Sequence, residues 1–519
     1  MFEDLLFTFS LGQASATVAA ALMLWTLYGI VYRLYLSPIA HFPGPWYAAA
    51  TMWYEFYWDV IKRGRYEWKI VEFHERYGPI VRINPYELHI SDPNYYEELY
   101  VTAAKRKTDK FWLGVRPFGG YDAHFATFDH NLHRMRRGAL GSFFSKQNIQ
   151  TLEPSLQATV DKLCTRFEES RSKSEAVKII PAYAALTADI ITGYCFSKPD
   201  GFLTRPNYAQ DLVDTFNDLK ETTHVNSHFG FVVPLMEKLP PWVVQYINPR
   251  MQPIVSMNNA WRRRIAAIIS QRYGGTISKD CKSIFDAILD SDMPESEKSI
   301  DRLRQEAQTV LAGGFISTSK LLTVATFHLL SDPAIRVRLM SELHSAIPDP
   351  SHPPPLVELE KLPYLNAVVL ESLRMSPAMS HRAQRISPEK DIHYKQWLIP
   401  AGTPVGMTTL MLHNDSSIFP SPYTFSPERW LPLETTGKSL EKYLFAWSRG
   451  SRNCLGINLA TAEIYLGLAA IFRRFGEDMR IVDTVRGRDI DITSDLIIPG
   501  QRRDTKGVTV QFGVGAGKE

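Results

Sequence analysis

Cysteine is scarce in this chain: there are 4 in 519 residues, at positions 164, 195, 281 and 454. None forms a CxxC pair, which argues against a zinc site and against a secreted disulfide framework, and fits a reducing compartment. Net charge is also small, +3 over the whole length, so there is no basic footprint of the kind that nucleic-acid binding requires. No internal repeat and no long polar linker divides the chain. With 45% hydrophobic, 12% aromatic and 22% charged residues, the composition excludes a disordered, collagen-like or wholly membrane-embedded protein. One large folded body is expected, although the length alone would allow roughly two to four domains.

Charge is missing altogether from Leu5 to Tyr32, and the second half of that run, ASATVAAALMLWTLYGIVY, is almost continuously apolar. It can span a bilayer core, which takes roughly 20 apolar residues in a helix. A cleavable signal peptide fits less well, because the residues before the run are acidic (Glu3, Asp4) and no small-residue cleavage site precedes the aromatic and basic flank. Arg33 and later basic residues follow the run, so the positive-inside rule places the rest of the chain in the cytosol. HFPGPW (41–46) then reads as a stiff linker between anchor and body. The boundaries drawn are 1–40 for the anchor and hinge and 41–519 for a single domain.

Within the body, GPIVRINPYELHISD (78–92) alternates about an Asn-Pro turn and predicts a strand hairpin. SLQATVDKLCTRF (155–167) places Leu156, Val160, Leu163 and Phe167 on one helical stripe, with Pro154 at its start. Cys164 adjoins the stripe and Cys195 sits in DIITGYCF, so both read as packing; Cys281 falls in a polar helix start. IPDPSHPPPL (347–356) predicts a surface loop. KGVTVQF (506–512) predicts a closing strand.

Cys454 stands apart. It lies in WSRGSRNCLG (447–456), directly before INLATAEIYLGLAAIFRRF (457–475), a helix apolar nearly all round. Unpaired N–H groups and the dipole at a helix start favour a thiolate there. Gly450 and Gly456 permit close backbone approach, and Arg452 supplies positive charge to an anion beside the sulfur. A buried structural thiol in a glycine turn is the bland alternative. Two further groups weigh against it. Glu371 and Arg374 in LNAVVLESLRMSP share a helix face at i and i+3, and Arg429 in FSPERW could share the same carboxylate through bidentate bonds.

Glu371-x-x-Arg374, then Pro-Glu-Arg429, then Gly450-x-Arg452-x-Cys454-x-Gly456, in that order and spacing, resembles the cytochrome P450 family of haem-thiolate enzymes, and the resemblance covers essentially the whole chain. It implies a mainly α fold with small β-sheets behind an N-terminal membrane helix. It makes Cys454 the proximal ligand of the iron of haem b, with the thiolate assisting O–O cleavage, and Glu371, Arg374 and Arg429 the lock around the haem. Trp447 stands where the family pattern has Phe, beside the sulfur. The family's long distal helix matches SIDRLRQEAQTVLAGGFISTSKLLTVATFHLLSDP (299–333), whose interior glycines predict a kink or a close ligand. In one register Gly313 and Gly314 take the small positions, Ile316 the acid position and Ser317 the threonine position, with Thr318 next. A register starting at Ala312 gives Phe315 and Ile316 instead. In both the acid is missing, and Ser317 and Thr318 are candidate proton-relay alcohols that could equally bond back to helix carbonyls. HNLHRMRRG (130–138) matches the family's Trp-x-x-x-Arg helix with His133 in place of Trp and Arg137 kept. His133, Arg137, Arg452 and Arg382 are the expected partners of the haem propionates.

The resemblance further implies electrons from NADPH-cytochrome P450 reductase, with cytochrome b5 as a second donor and Arg449 among the surface cations that could meet them. It implies an endoplasmic reticulum membrane location, single-pass, with the catalytic domain cytosolic. Segments 117–128, 311–318, 376–381 and 496–500 are expected to line a pocket for an apolar small molecule. Local wording such as NPYELHIS and SRNCLGINLA is most similar to fungal members that oxidise terpenoid and related secondary metabolites. The missing acid keeps open a haem-thiolate isomerase, dehydratase or desaturase, and a non-catalytic haem-binding protein is the remaining alternative.

Overall fold

The computed structural model describes residues 11–247, 252–273, 283–431 and 439–513; Cys281 lies outside the described residues. Helix makes up 60% and strand 7%, the mainly helical mix expected from the sequence. The first helix, α1 (Leu11–Val31), carries no charged residue. Among the described residues three helices are long and apolar enough to cross a membrane, and burial separates them. The window over Gly12–Leu36 is 0% buried, whereas Ile179–Phe196 and Ile300–Ser331 are 78% and 67% buried in the body. At 1.5 Å per residue the 25 residues of the first span reach about 37 Å, enough for a hydrocarbon core of about 30 Å. This helix fits a membrane anchor. Its end is tied down: Arg33 Nη1 donates to Ala50 O at 2.9 Å, and Arg82 Nη1 donates to Arg33 O at 2.7 Å. The linker joins the same knot, since the Arg82 N–H donates to Pro43 O at 2.7 Å.

The predicted hairpin forms as β1 (Ile80–Arg82) and β2 (Leu88–Ile90), paired antiparallel with Val81 opposite His89. Asn84 Oδ1 accepts from the N–H groups of Tyr86 and Glu87, closing the turn. Next come α2 (His130–Gly141), capped by Asp129, and α3 (Lys146–Ser172), capped by Ser145. Pro154 therefore lies inside α3 rather than at its start. The Ser145 cap begins the helix two turns earlier, and Leu156, Val160, Leu163 and Phe167 are buried as predicted. After β3 (Ala176–Lys178), α4 (Ile179–Phe196) is buried along nearly its whole length, Cys195 included. The short α5 (Thr223–His228) precedes α6 (Ile300–Ser331), one continuous helix capped by Ser299 and ended at Asp332 before Pro333. No break occurs at its glycines.

α7 (Pro363–Met375) leads into β4 (Arg385–Ile386), the hairpin β5 (Ile392–Tyr394) and β6 (Trp397–Ile399), and β7 (Pro404–Gly406). The main sheet has the order β1-β2-β7-β4. α8 (Ile457–Phe475) is followed by β8 (Arg480–Val482), the hairpin β9 (Ser494–Leu496) and β10 (Ile498–Gly500), and β11 (Thr509–Gln511). β11 pairs with β3 and β8, as a closing strand should. The main core gathers side chains from α3, α4, α6, α7 and α8. α4 and α6 approach closely: a Cβ added at Gly314 would stand 2.9 Å from Ile191 Cγ1, and Thr187 Oγ1 donates to Phe315 O at 3.1 Å.

Candidate active site

The loop that presents Cys454 is shaped by its neighbours. Gly450 has φ +72°, and a Cβ there would lie 2.2 Å from Val101 O, so only glycine fits. Ser451 N then donates to Val101 O at 3.1 Å, and Cys454 N donates to Trp447 O at 2.9 Å. Trp447 packs against the main core. Cys454 remains partly exposed at the start of α8. Desolvation raises its thiol pKa, and the Gly456 N–H and the Arg137 charge pull it back.

Around this loop lie four cations whose bonds go to carbonyls, not carboxylates. Arg452 donates to Thr108 O (3.2 Å), Thr127 O and Phe128 O (both 2.7 Å). Arg137 grips Asn453 through O and Oδ1, each at 2.7 Å. Arg385 donates to Gln384 O at 2.9 Å, and Lys110 to Phe125 O. Burial, then the charges of Arg452, Arg385 and Arg137, hold the Lys110 ammonium well below its ordinary range; burial and Arg385 bring Arg452 down to about 9. Asp109 and Asp129 offset part of the repulsion at Arg452 without bonding it, and an anionic ligand among these buried cations would relieve the rest. Lys110 and Arg385 escaped the sequence reading, because a lone Lys or Arg in a loop carries no signal until the fold collects it.

His133 is buried in the same cluster. Burial and then the charges of Arg452, Lys110, His124 and Arg137 drive its pKa down to about 2, so it is neutral and cannot act as a cation there. Arg382 is a correction. It is fully buried inside three carboxylates, donating to Glu55 Oε1 (2.5 Å), Glu67 Oε1 (3.0 Å) and Glu87 Oε2 (3.0 Å). These neutralise its charge inside that cluster, so it is not among the cations around Cys454.

On α6 the two glycines divide. A Cβ at Gly313 would meet nothing within 4 Å, whereas Gly314 is the packing glycine against Ile191. Ser317 Oγ donates to Gly313 O at 2.8 Å, on the ridge that also carries Gln305 and Thr309. Thr318 does not join that ridge. It is buried beside Glu463 of α8, a carboxyl whose pKa burial raises well above the usual range. Thr318 thus sits at the contact between α6 and α8.

Of the expected lining segments, 376–381 and 496–500 meet directly, while 117–128 and 496–500 reach α6 on either side of 311–318. Asp122 and His124 bond to Gln305 and Glu306 of α6. Ser380 N donates to Ile497 O at 3.1 Å, and Lys320 Nζ to Pro499 O at 2.6 Å. Leu311 and Phe315 face the other way. They line a cleft of about 790 Å³ with Ile191, Leu212 and Trp261.

The lock is built from Glu371 outward. Arg374 donates Nε to Glu371 Oε2 (2.9 Å) and Nη2 to Oε1 (2.7 Å), and Arg429 Nε reaches Oε1 at 3.2 Å. Trp430 Nε1 and the Ser426 N–H add bonds of 2.8 and 2.9 Å. Arg374 also donates to His413 O at 2.9 Å.

A partly open cysteine at a helix start, a ring of cations bonded only to carbonyls and a glycine-bearing helix form a setting for a flat, dianionic, sulfur-ligated group. The cytochrome P450 family model matches residues 49–503. Cytochrome P450 monooxygenase tpcC of Cochliobolus heterostrophus is 39% identical over 98% of this chain and 99% of its own. Tryptophan 6-hydroxylase fscE of Fusarium equiseti is 38% identical over 93% of this chain and 94% of its own, and N-acetyltryptophan 6-hydroxylase ivoC of Emericella nidulans 36% over 98% of both. The chain belongs to the cytochrome P450 family, whose cofactor is haem b.

Proposed function

We propose that this protein is a membrane-anchored monooxygenase that inserts one oxygen atom from O2 into an apolar small molecule of secondary metabolism, a terpenoid or a related compound. The observation that carries the reading is the partly open Cys454 framed by Arg137, Arg385, Arg452 and Lys110, none of them bonded to a carboxylate. When bound, haem supplies the redox chemistry that activates O2.

The chain's own residues hold and tune it. Cys454 provides the sulfur ligand, and the Gly456 N–H beside it favours the thiolate. Arg452, Arg137, Arg385 and Lys110 meet the two carboxylates, with His133 as a neutral N–H. Glu371, Arg374 and Arg429 hold the loop's surroundings, and Trp447 shields the sulfur. Gly313 leaves room for small ligands, while Gly314 sets the distance between helices. Ser317 keeps a hydroxyl at that opening, resting on Gly313 O, and moves a proton with ordered water in place of an acid.

α1 anchors a single catalytic domain to the endoplasmic reticulum with the domain in the cytosol, as the basic flank after α1 favours. NADPH-cytochrome P450 reductase is the electron donor, with cytochrome b5 as a second. Arg449, half-buried beside the cysteine loop, is the cation for that contact.

The decisive test is turnover under 18O-labelled O2 in membranes holding this protein and a reductase, with terpenoids and indole compounds as candidates. One labelled oxygen in the product is expected. Product without label would replace the reading by the second one, an isomerase, dehydratase or desaturase, which Ile316 at the acid position favours.

A further inference from the structure

Far from Cys454 in the sequence, the short turn Tyr57–Ile61 meets α5 and the β9–β10 hairpin around the carboxylate of Asp59. Asp59 is 3% exposed, yet its Oδ1 has no hydrogen-bond partner. Its Oδ2 faces two histidines at i and i+4 of one helix face: His224 Nδ1 at 3.4 Å and His228 Nε2 at 3.8 Å. His228 Nε2 is likewise buried without a hydrogen-bond partner. Ligand atoms of Glu55, Asp59 and His228 all lie within 4.8 Å of one another.

The histidines are already turned for ligation. His224 Nε2 is 2.7 Å from the carbonyl of Asp495; only a protonated nitrogen makes that contact, so in the neutral ring Nδ1 presents its lone pair toward Asp59. A lone pair aimed at a carboxylate oxygen is repulsive unless a metal cation or a second ring proton stands between them. A carbonyl fixing the distal ring nitrogen is the arrangement that orients metal-bound histidines. Spacing agrees as well: two ligands of a tetrahedral zinc at about 2.0 Å stand about 3.3 Å apart, close to the 3.4 and 3.8 Å found here.

We propose that Glu55, Asp59 and His228, with His224 against Asp59 as the fourth group, form a binding site for a zinc-class divalent cation that ties the residues after the membrane linker to α5. Two imidazoles and two carboxylates suit zinc better than calcium or magnesium, which take oxygen ligands. Glu55 already accepts from Asn84 at 2.7 Å and from Arg382 at 2.5 Å, and those bonds orient it. The neighbouring group of Glu67, His381 and Asp495 differs, because it has no orphaned carboxylate oxygen like Asp59 Oδ1: all are engaged by Arg382, Thr408, Ser380 and His381 itself. It is an ion-pair network and needs no metal.

The test uses the full chain with haem bound, purified in detergent, stripped with chelator and titrated with zinc alone by calorimetry, with elemental analysis after dialysis. One retained zinc per chain is expected, with an X-ray absorption edge showing nitrogen and oxygen ligands near 2.0–2.1 Å. D59N and H228Q should each weaken binding about tenfold or more, while His352→Ala, at an exposed histidine, should leave it unchanged. If D59N does not fold, H228Q decides alone. Wild type that retains no zinc, or variants that bind it as tightly as wild type, would overturn the proposal and leave the cluster as protonated histidines paired with Asp59.

Discussion

The Phe445 N–H donates to His413 Nε2 at 2.9 Å, while the other ring nitrogen of His413 lies 3.0 Å from Arg374 O. Burial, and then the Arg374 charge, hold this imidazole down to about 3 despite that carbonyl, so it is neutral and bridges as donor and acceptor at once. Arg374 is in turn clamped by Glu371. A chain of polar contacts thus runs from the Glu371 lock to the segment entering the Cys454 loop, two residues before Trp447.

His413→Ala should therefore loosen the cysteine loop although His413 is far from it in sequence. It strands the buried Phe445 N–H, at a cost of about 1–3 kcal/mol, and leaves a cavity. Thermal unfolding and haem content of the purified variant are the measurements. A variant with wild-type melting and full haem retention would show that the bridge carries no load.

The two helix glycines should separate cleanly. Gly314→Ala forces a methyl into Ile191 and should destabilise by about 1–3 kcal/mol through overpacking, with turnover per folded molecule retained. Gly313→Ala meets open space and should gain up to about 1 kcal/mol from helix propensity, while changing substrate affinity. Denaturation and substrate titration on both variants test this. Equal stability of the two would contradict the assignment of their faces.

Much of this architecture was legible in the sequence, and the exceptions share a physical origin. Local signals carried the hairpin at Asn84, the end of α6 at Asp332 and the buried stripe of α3, because turn chemistry and periodicity act over a few residues. The order of Glu371, Arg374, Arg429 and Cys454 is also a one-dimensional pattern. What failed was direction. Thr318 and Ser317 are neighbours in sequence, but a 100° step on the helix turns one toward Glu463 and leaves the other on the Gly313 side. Arg382 and Arg385 sit three apart, and only the distant Glu55, Glu67 and Glu87 decide that the first is neutralised and the second is not. His413 and Lys110 gave no signal, since their partners lie far along the chain.

At the opening on α6, Ser317→Ala should lower the share of consumed O2 that appears in product, by less than the roughly 10²-fold expected for loss of a well-placed acid or base, because water can substitute. Ile316→Asp should raise that share by restoring an acid beside the hydroxyl. Oxygen consumption, peroxide and labelled product are measured together. If Ser317→Ala leaves the ratio unchanged and Ile316→Asp does nothing, proton delivery does not pass this ridge.

His381 gives the chain a pH signature of defined sign. Burial and the Arg382 charge push its pKa down, but Asp495, whose Oδ2 is 2.7 Å away, and Glu67, at 3.3 Å, outweigh them and raise it to about 9. A folded pKa above the unfolded value near 6.5 means that protonated His381 stabilises the native state. That contribution is complete below about pH 6.5 and is lost as pH rises toward 9, on the order of 3 kcal/mol in all. Denaturant unfolding in chelator, from pH 6 to 9.5, should show stability falling over this window in wild type. In His381→Gln, which cannot ionise, the slope should flatten. Parallel wild-type and variant curves would mean that His381 enters the folded state neutral and that Asp495 is held by Ser380 and the Ile497 N–H alone.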